Sequence, residues 1–533
     1  MVKTSSFYAV WCIISVFLLL LLCCCAPTVV IRKLRPPSDI ITVDQASAKS
    51  SLKVHMRNGS LYVLRNYNTA LDKDTLLGMG DFYNADRKKV PLPGVKEGVV
   101  KNGQQIVRIP YSDIALVETN KIGGVTGKLL AMGFVGVPST FLSVFCLANP
   151  KACFGSCPTF YAWNGKDMKL MAEGFSSSIL RKYEQSDIDM LYWTKTEGRD
   201  YHLRLTNEAL ETHIIRYADL LIFPKKDQER VFATEEGKFY RTSEIHLPAI
   251  CKGPEGDCMS QVLVMDSRER FSASDPKNLA TREYIDLEFN SGFVGQAGLV
   301  IGARQTLLTT YLFYQSLAYV GNENGYYAAK IESGDVRMQK KVQRIWDLLG
   351  GIEVFVQTAQ GKWLKAGEIR EMGPIASDVH LVPLPIQSAG HVKMRLKMTR
   401  GLWRIDYLGL AGMSERVEPV CIKPSYVTTN DSINPGVLTQ LCDTIEPLIT
   451  LPGDSHVLHY TLPESSGDYE IFLKSKGYYL EWMRDEWMAE KNLKKAYLMF
   501  GFPKLYLRLI AKKFKLVEPG MEESFWRSRY VKN

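Results

Sequence analysis

The residue types that perform chemistry are present in this chain but scattered along it. A nucleophile needs a base within reach, and a catalytic metal needs three converging ligands. The sequence carries no His-Glu-x-x-His, no Gly-x-Ser-x-Gly, no Walker loop and no dinucleotide fingerprint. Gly123-Gly-Val-Thr-Gly-Lys-Leu129 lacks both the spacing and the Ser or Thr of a phosphate loop. Of the eight histidines, His456 and His459 are expected on opposite faces of one strand, while His202, His213, His380 and His391 fall in strand-like runs that suit structural histidines. Asp187 with Asp189, near Glu184, and Asp72 with Asp74 each place two carboxylates on one side of an extended segment. Neither has the spacing of a calcium loop, so no cofactor or metal is expected beyond a structural calcium at most. Trp363, Trp403 and Tyr407 could stack on a sugar, and Trp403-Arg404-Ile405-Asp406 joins a ring, an Arg and an Asp as a candidate glycan contact. Strand alternation divides it, sending Trp403 and Ile405 to one face and Arg404 and Asp406 to the other, which makes Trp403 a core residue instead.

Cysteine usage fits an oxidising compartment: eleven residues, seven of them beyond Cys25. Cys251-Lys-Gly-Pro-Glu-Gly-Asp-Cys258 is the leading disulfide candidate, because its glycines and proline let a short loop close. Cys153 with Cys157, and Cys421 with Cys442, are further candidates, and Cys146 is left over. Zinc at Cys153 and Cys157 fails for want of a second ligand pair at finger spacing.

The elements that would position these residues are mainly β with α additions. Residues 51–122 alternate around an Arg57-Asn58-Gly59-Ser60 turn, as a hairpin in a small SH3-like or Sm-like barrel would. Within 123–150, Leu129 to Ala148 is free of charge and long enough to cross a bilayer; its glycines and proline favour a buried or dipping helical hairpin over a span. Residues 151–280 read as a β-sandwich-like domain. Residues 281–415 read as strands interrupted over 304–349 by helical spacing at Leu307, Leu308, Tyr311, Leu312, Tyr314, Gln315 and Tyr319. A β segment at 416–475 leads into a helical tail at 476–533. Residues 471–533 hold fourteen Lys or Arg against seven Asp or Glu, and so supply +7 of the formal +9. In the tail Lys504, Arg508 and Lys512 stack at four-residue intervals, opposite Tyr506, Ile510 and Phe514. That amphipathic basic helix either lies on an anionic lipid surface or packs on the body with a solvated face. Nucleic acid is not expected as a partner of an exported protein.

Lys3, an apolar run from Val10 to Leu22 and a small-residue site form an export signal over 1–25, with 26–50 as linker. An uncut signal anchor is the alternative. Leu22 to Cys25 resembles a bacterial lipobox, which implies a covalent lipid on Cys25, or on Cys23, and an outer-membrane or envelope location facing the periplasm or the exterior. Cys153-Phe-Gly-Ser-Cys-Pro-Thr-Phe-Tyr161, with Glu173-Gly-Phe-Ser-Ser-Ser178 and Leu205-Thr-Asn-Glu-Ala-Leu-Glu-Thr212, is similar to a group of uncharacterised bacterial envelope lipoproteins. Residues 283–412 resemble a galactose-binding-like jelly roll, opened by Tyr284-Ile-Asp-Leu-Glu-Phe289 and closed by Gly401-Leu-Trp-Arg-Ile-Asp-Tyr-Leu-Gly-Leu410. These resemblances imply fold and place and name no catalytic residue. The expected function is a non-enzymatic, membrane-anchored lipoprotein that binds an envelope protein or glycan. The alternatives are a polysaccharide-active enzyme using carboxylates such as Asp406 or Glu353, which would stand about 5 or 9 Å apart as a pair, and a structural part of an envelope assembly.

Overall fold

The computed structural model describes residues 28–35, 52–68, 74–84, 89–91, 100–101 and 104–124, and then 157–526 with gaps at 197, 227, 333, 371, 443–445, 465–467, 483–486 and 488–489. The signal with Cys23 and Cys25, the apolar segment 129–148 and Cys153 lie outside the described residues. The chain divides into two compact units, 1–144 and 145–533. Each is mostly β, and the α-helices described belong to the second.

The first unit is one eight-stranded antiparallel sheet around its own small core. Its central hairpin, Leu52–Met56 with Leu61–Asn68, turns on Asn58-Gly59 as the sequence implies. Gly59 sits at φ +78°, a conformation that costs glycine nothing. Asn58 closes the turn by accepting hydrogen bonds from the Ser60 amide and hydroxyl. Leu52, Val54, Leu64, Leu76, Ile109, Ile114 and Val117 converge as the core. Thr28–Arg35 pairs over its whole length with residues 117–124 of the strand Ile114–Gly124.

In the second unit, three sheets stack through two apolar layers. The six-stranded sheet runs in the order Met168–Glu173, Thr159–Trp163, Asp200–Thr206, Ser455–Thr461, Tyr426–Thr429, Ser432–Ile433. Alternation aims it inward: Tyr201, Leu203 and Leu205 are buried, while His202 and Arg204 face out. It packs on a sheet built on Glu211–Pro224 and Tyr469–Glu481, flanked by Gln185–Met190 and Val420–Ile422. Strands 455–461 and 469–481 therefore complete sheets that begin some 250 residues earlier. Glu211–Pro224 is buried on both faces. Leu220 and Ile222 turn to the first layer, whereas Leu221 and Phe223 meet Phe239, Val300, Leu381 and Phe472 in the second.

That second layer belongs to a ten-stranded sheet whose spine is three long strands, Arg282–Gln305, Asp378–Thr399 and Trp403–Val417. The first pairs with both others, and Phe239–His246 and Arg230–Ala233 close the ring through a parallel bridge between Ala233 and His380. Ile352–Gln357 and Trp363–Ile369 extend it outward. The helical insertion expected between 304 and 349 is present as α1 (Leu308–Val320), α2 (Asn324–Glu332) and α3 (Val336–Leu349). After α4 (Pro435–Cys442), the chain ends in α5 (Leu493–Gly501) and α6 (Pro503–Trp526). The sheet's remaining apolar side chains meet α1, α3, α5 and α6 in the largest core of the molecule. Among the described residues no helix is long and apolar enough to cross a membrane.

Candidate functional site

The two C-terminal helices carry the most unusual surface. Asn492 caps α5 by accepting from the Lys495 amide at 3.1 Å, and the break at Gly501-Phe502 lets Pro503 start α6, where its missing N–H costs nothing. Tyr506, Leu507, Ile510, Ala511, Phe514, Val517 and Met521 are all buried. Tyr506 meets Tyr319 edge-on at 6.2 Å, and Phe514 packs on Tyr311 at 5.1 Å. Burial raises the Tyr311 and Tyr506 hydroxyls far from ionisation. On the opposite side Lys504, Arg508 and Lys512 are exposed, the register implied by their spacing. The sequence reading missed what lies between them: Leu505, Leu509 and Leu516 are 48, 59 and 69% exposed, beside Tyr497 and Phe502 at 65 and 53%. The signal was there in residues 505, 509 and 516, which lie beside the basic row instead of on the buried stripe.

The far end of α6 is pinned by charge. Glu522 receives Arg404 Nε at 2.6 Å and Arg304 Nη2 at 3.2 Å, and Glu269 takes both Arg304 and Arg404. Glu518 accepts from the Ser274 amide at 2.6 Å and from Lys515 at 2.5 Å.

The same cluster disposes of Trp403-Arg404-Asp406 as a glycan contact. Trp403 is 1% exposed within the core that α6 covers. Arg404 lies between its two carboxylates with its guanidinium 4.1 Å from the Phe271 ring centre. Asp406 is fully buried and accepts from the Ser267 amide at 3.0 and 3.1 Å; burial raises its pKa. A sugar finds no ring face there, because both faces of the strand are covered. Tyr407 is buried as well, whereas Trp363 stays at the surface. Glu353, the other candidate acid or base, is held between Lys365 at 3.1 Å and Lys397 at 2.7 Å; burial would raise its pKa, but the two lysines keep it below the usual carboxylate range.

The cysteines divide. Cys251 and Cys258 are brought together, their buried Sγ atoms 2.8 Å apart in the hairpin that the intervening glycines allow. Cys421 and Cys442 are not: each is an exposed free thiol, Cys421 beside Asp219 on a sheet edge and Cys442 at the end of α4. Cys157 is buried next to Glu173, Glu211 and Tyr479, and burial pushes its thiol well up. Of the carboxylates grouped near residue 187, Asp187 accepts from the Phe175 and Ile188 amides and Glu184 pairs with Arg216 at 2.7 Å, so neither is held ready for a metal. Among the described residues no three His, Cys, Asp or Glu side chains converge on a metal position.

No protein-family model matches the chain, and no curated protein does. Among solved structures it is similar to a β-porphyranase of glycoside hydrolase family 86 from the human gut bacterium Bacteroides plebeius, at 6% identity and a TM-score of 0.15 over 46% of this chain and 38% of that one. Others are the secreted serine protease VesC from Vibrio cholerae (8% identity, TM-score 0.14, 70% and 98% covered) and a GH31 α-xylosidase from Xanthomonas citri (7%, 0.13, 85% and 38%). The chain spans under two fifths of the porphyranase. At these TM-scores the likenesses bear on neither fold nor activity.

Proposed function

We propose that this chain is a non-enzymatic, lipid-anchored protein of the bacterial envelope that binds a protein or glycan partner, with its C-terminal helices resting on an anionic lipid surface. The observation that carries the reading is the outer face of α5 and α6. A helix that serves only to cover a core turns polar residues to water. Here α6 commits a full stripe to the core and still exposes Leu505, Leu509 and Leu516 beside Lys504, Arg508 and Lys512, with Tyr497 of α5 and Phe502 of the break exposed next to them. Apolar groups within a cationic row are what a helix lying in the headgroup region presents. The covalent lipid expected on Cys25, or on Cys23, would act as the companion signal.

Each basic residue near an anionic surface contributes about 1 kcal/mol. Replacing Lys504, Arg508 and Lys512 together by Gln therefore removes about 3 kcal/mol, roughly a hundredfold in partitioning. The chain produced without residues 1–25 is expected to float with vesicles of phosphatidylcholine and phosphatidylglycerol but not with phosphatidylcholine alone, and the triple variant to stay in solution. Equal flotation of parent and variant would remove the lipid-surface reading.

A further inference from the structure

A second surface, on the extension of the ten-stranded sheet, has its own chemistry. Arg282–Gln305, Asp378–Thr399 and Ile352–Gln357 lie side by side with Trp363–Ile369 at the edge. Their inward residues, among them Ile285, Leu287, Val354, Met394 and Leu396, are buried. On the outward side Arg395 stands in register with Asp286, its Nε and Nη2 donating to the two carboxylate oxygens at 2.6 and 3.1 Å. The guanidinium carbon is 4.8 Å from the ring centre of Trp363 and 5.5 Å from that of Tyr284. Tyr284 is on the strand to one side of Arg395 and Trp363 on the edge strand to the other, so the rings flank the guanidinium. They remain 47 and 36% exposed.

We propose that this face binds a neutral glycan, with Tyr284 and Trp363 stacking on the C–H faces of sugar rings and the Arg395–Asp286 pair hydrogen-bonding their hydroxyls. The guanidinium has five N–H donors, of which Asp286 takes two, and each carboxylate oxygen keeps a lone pair. The pair is electrically neutral and offers donors beside acceptors, the complement of a hydroxyl, which both donates and accepts. A phosphate or carboxylate ligand would have to displace Asp286 from a fork it already fills. A protein partner fits less well, because the cores of protein interfaces are depleted in Lys and Glu. Here Lys365, Glu353 and Lys397 form one chain of ion pairs beside the rings, and Lys393 with Glu288 another. Rings held by two torsions each also lose little freedom on binding.

The assignment rests on reading the chain as a partner-binding envelope protein, but its test needs no membrane. The full chain in mild detergent is run through native gels containing a neutral β-glucan, a neutral galactomannan or anionic polygalacturonate. At least one neutral polysaccharide is expected to retard it. Trp363→Ala and Tyr284→Ala should each weaken that retardation about tenfold, with Trp363→Phe restoring most of it. Arg395→Lys keeps the charge but loses the fork and should weaken it too. Because these side chains are at the surface, unchanged thermal melts will show that each variant is folded. No retardation by either neutral polymer, retardation only by polygalacturonate, or retardation indifferent to both ring variants would each overturn the proposal. Vesicle flotation unchanged by Trp363→Ala separates this outcome from failure of the lipid-surface reading.

Discussion

Glu173 offers the sharpest test of the buried architecture. It ends the strand Met168–Glu173 and is fully enclosed, accepting from the Ile375 amide at 2.9 Å across 202 positions of chain. The loop passes so close that a Cβ on Gly373 would fall 2.1 Å from the Glu173 carboxylate, so a side chain there would have to displace it. Burial raises the carboxyl to about 7, against the opposing pull of the Ile375 amide, Cys157, the Ala376 amide and Arg304. Because the folded pKa lies above the unfolded value of 4.5, folding favours the protonated acid. The associated stability is complete below pH 4.5 and is lost as pH climbs through 7. At 1.36 kcal/mol per unit the loss is about 3 kcal/mol. His380 acts with the same sign in a later window: burial lowers its pKa, but Asp378 at 2.8 Å overrides that and lifts it to about 9, so its contribution fades as pH passes from 6.5 through 9. Urea unfolding followed by fluorescence should therefore show stability falling in two stages. Glu173→Gln keeps an acceptor for the Ile375 amide and cannot ionise, so it should flatten the first stage alone and exceed the parent in stability above pH 7. A parent whose stability is level or rising between pH 4.5 and 7, or a Gln variant with the parental slope, would refute the reasoning.

Arg304→Met should cost about 3 kcal/mol in the same urea assay, because it takes from the buried Glu269 its two-pronged partner, leaving only Arg404 at 3.5 Å, and loosens Glu522. Glu522→Gln, which leaves the Arg304 and Glu269 fork whole, should cost about 1 kcal/mol, and equal losses would show that the pair does not act as a unit. In the chain recovered from an oxidising compartment, Cys251 and Cys258 should resist alkylation until reductant is added, with intact mass lower by two hydrogens; ready alkylation of both without reductant would sink the pairing.

Local signals in the sequence were enough for local structure. Asn58-Gly59 marks a hairpin because few residues other than glycine tolerate that backbone, and the tyrosine and leucine spacing from 307 to 319 marks a helix because the period differs from a strand's. The basic row at 504, 508 and 512 sits where its period puts it. What could not be read is pairing across long loops. Nothing in Ser455–Thr461 names Asp200–Thr206 as its neighbour, and alternation cannot say whether the face away from Trp403 meets water or, as here, Glu269 and Glu522. Trp363 could be singled out as an exposed ring from its own segment, but Tyr284 and Arg395 become its companions only once Asp378–Thr399 is laid between their strands.

The same limit explains why α6 looked ambiguous as a sequence. Packing on the body and lying on lipid are alternatives for a helix with one apolar stripe, which can serve only one neighbour. The helix carries two. Its buried stripe runs from Tyr506 to Met521 and sits on α1 and the sheet, while Leu505, Leu509 and Leu516 form a thinner row beside the cations. Fixing the first stripe is what makes the second useful. A free helix would bury its wider face in lipid and roll the cations away from the headgroups, but Tyr319, Tyr311 and the Arg304–Glu522 contact hold its rotation. The core thereby sets which residues point outward, and on an anionic surface a row too thin to insert on its own would gain about 3 kcal/mol from three correctly aimed charges. Orientation supplied by the fold, more than hydrophobicity, is what would let so thin an apolar row serve as the second hold on a membrane.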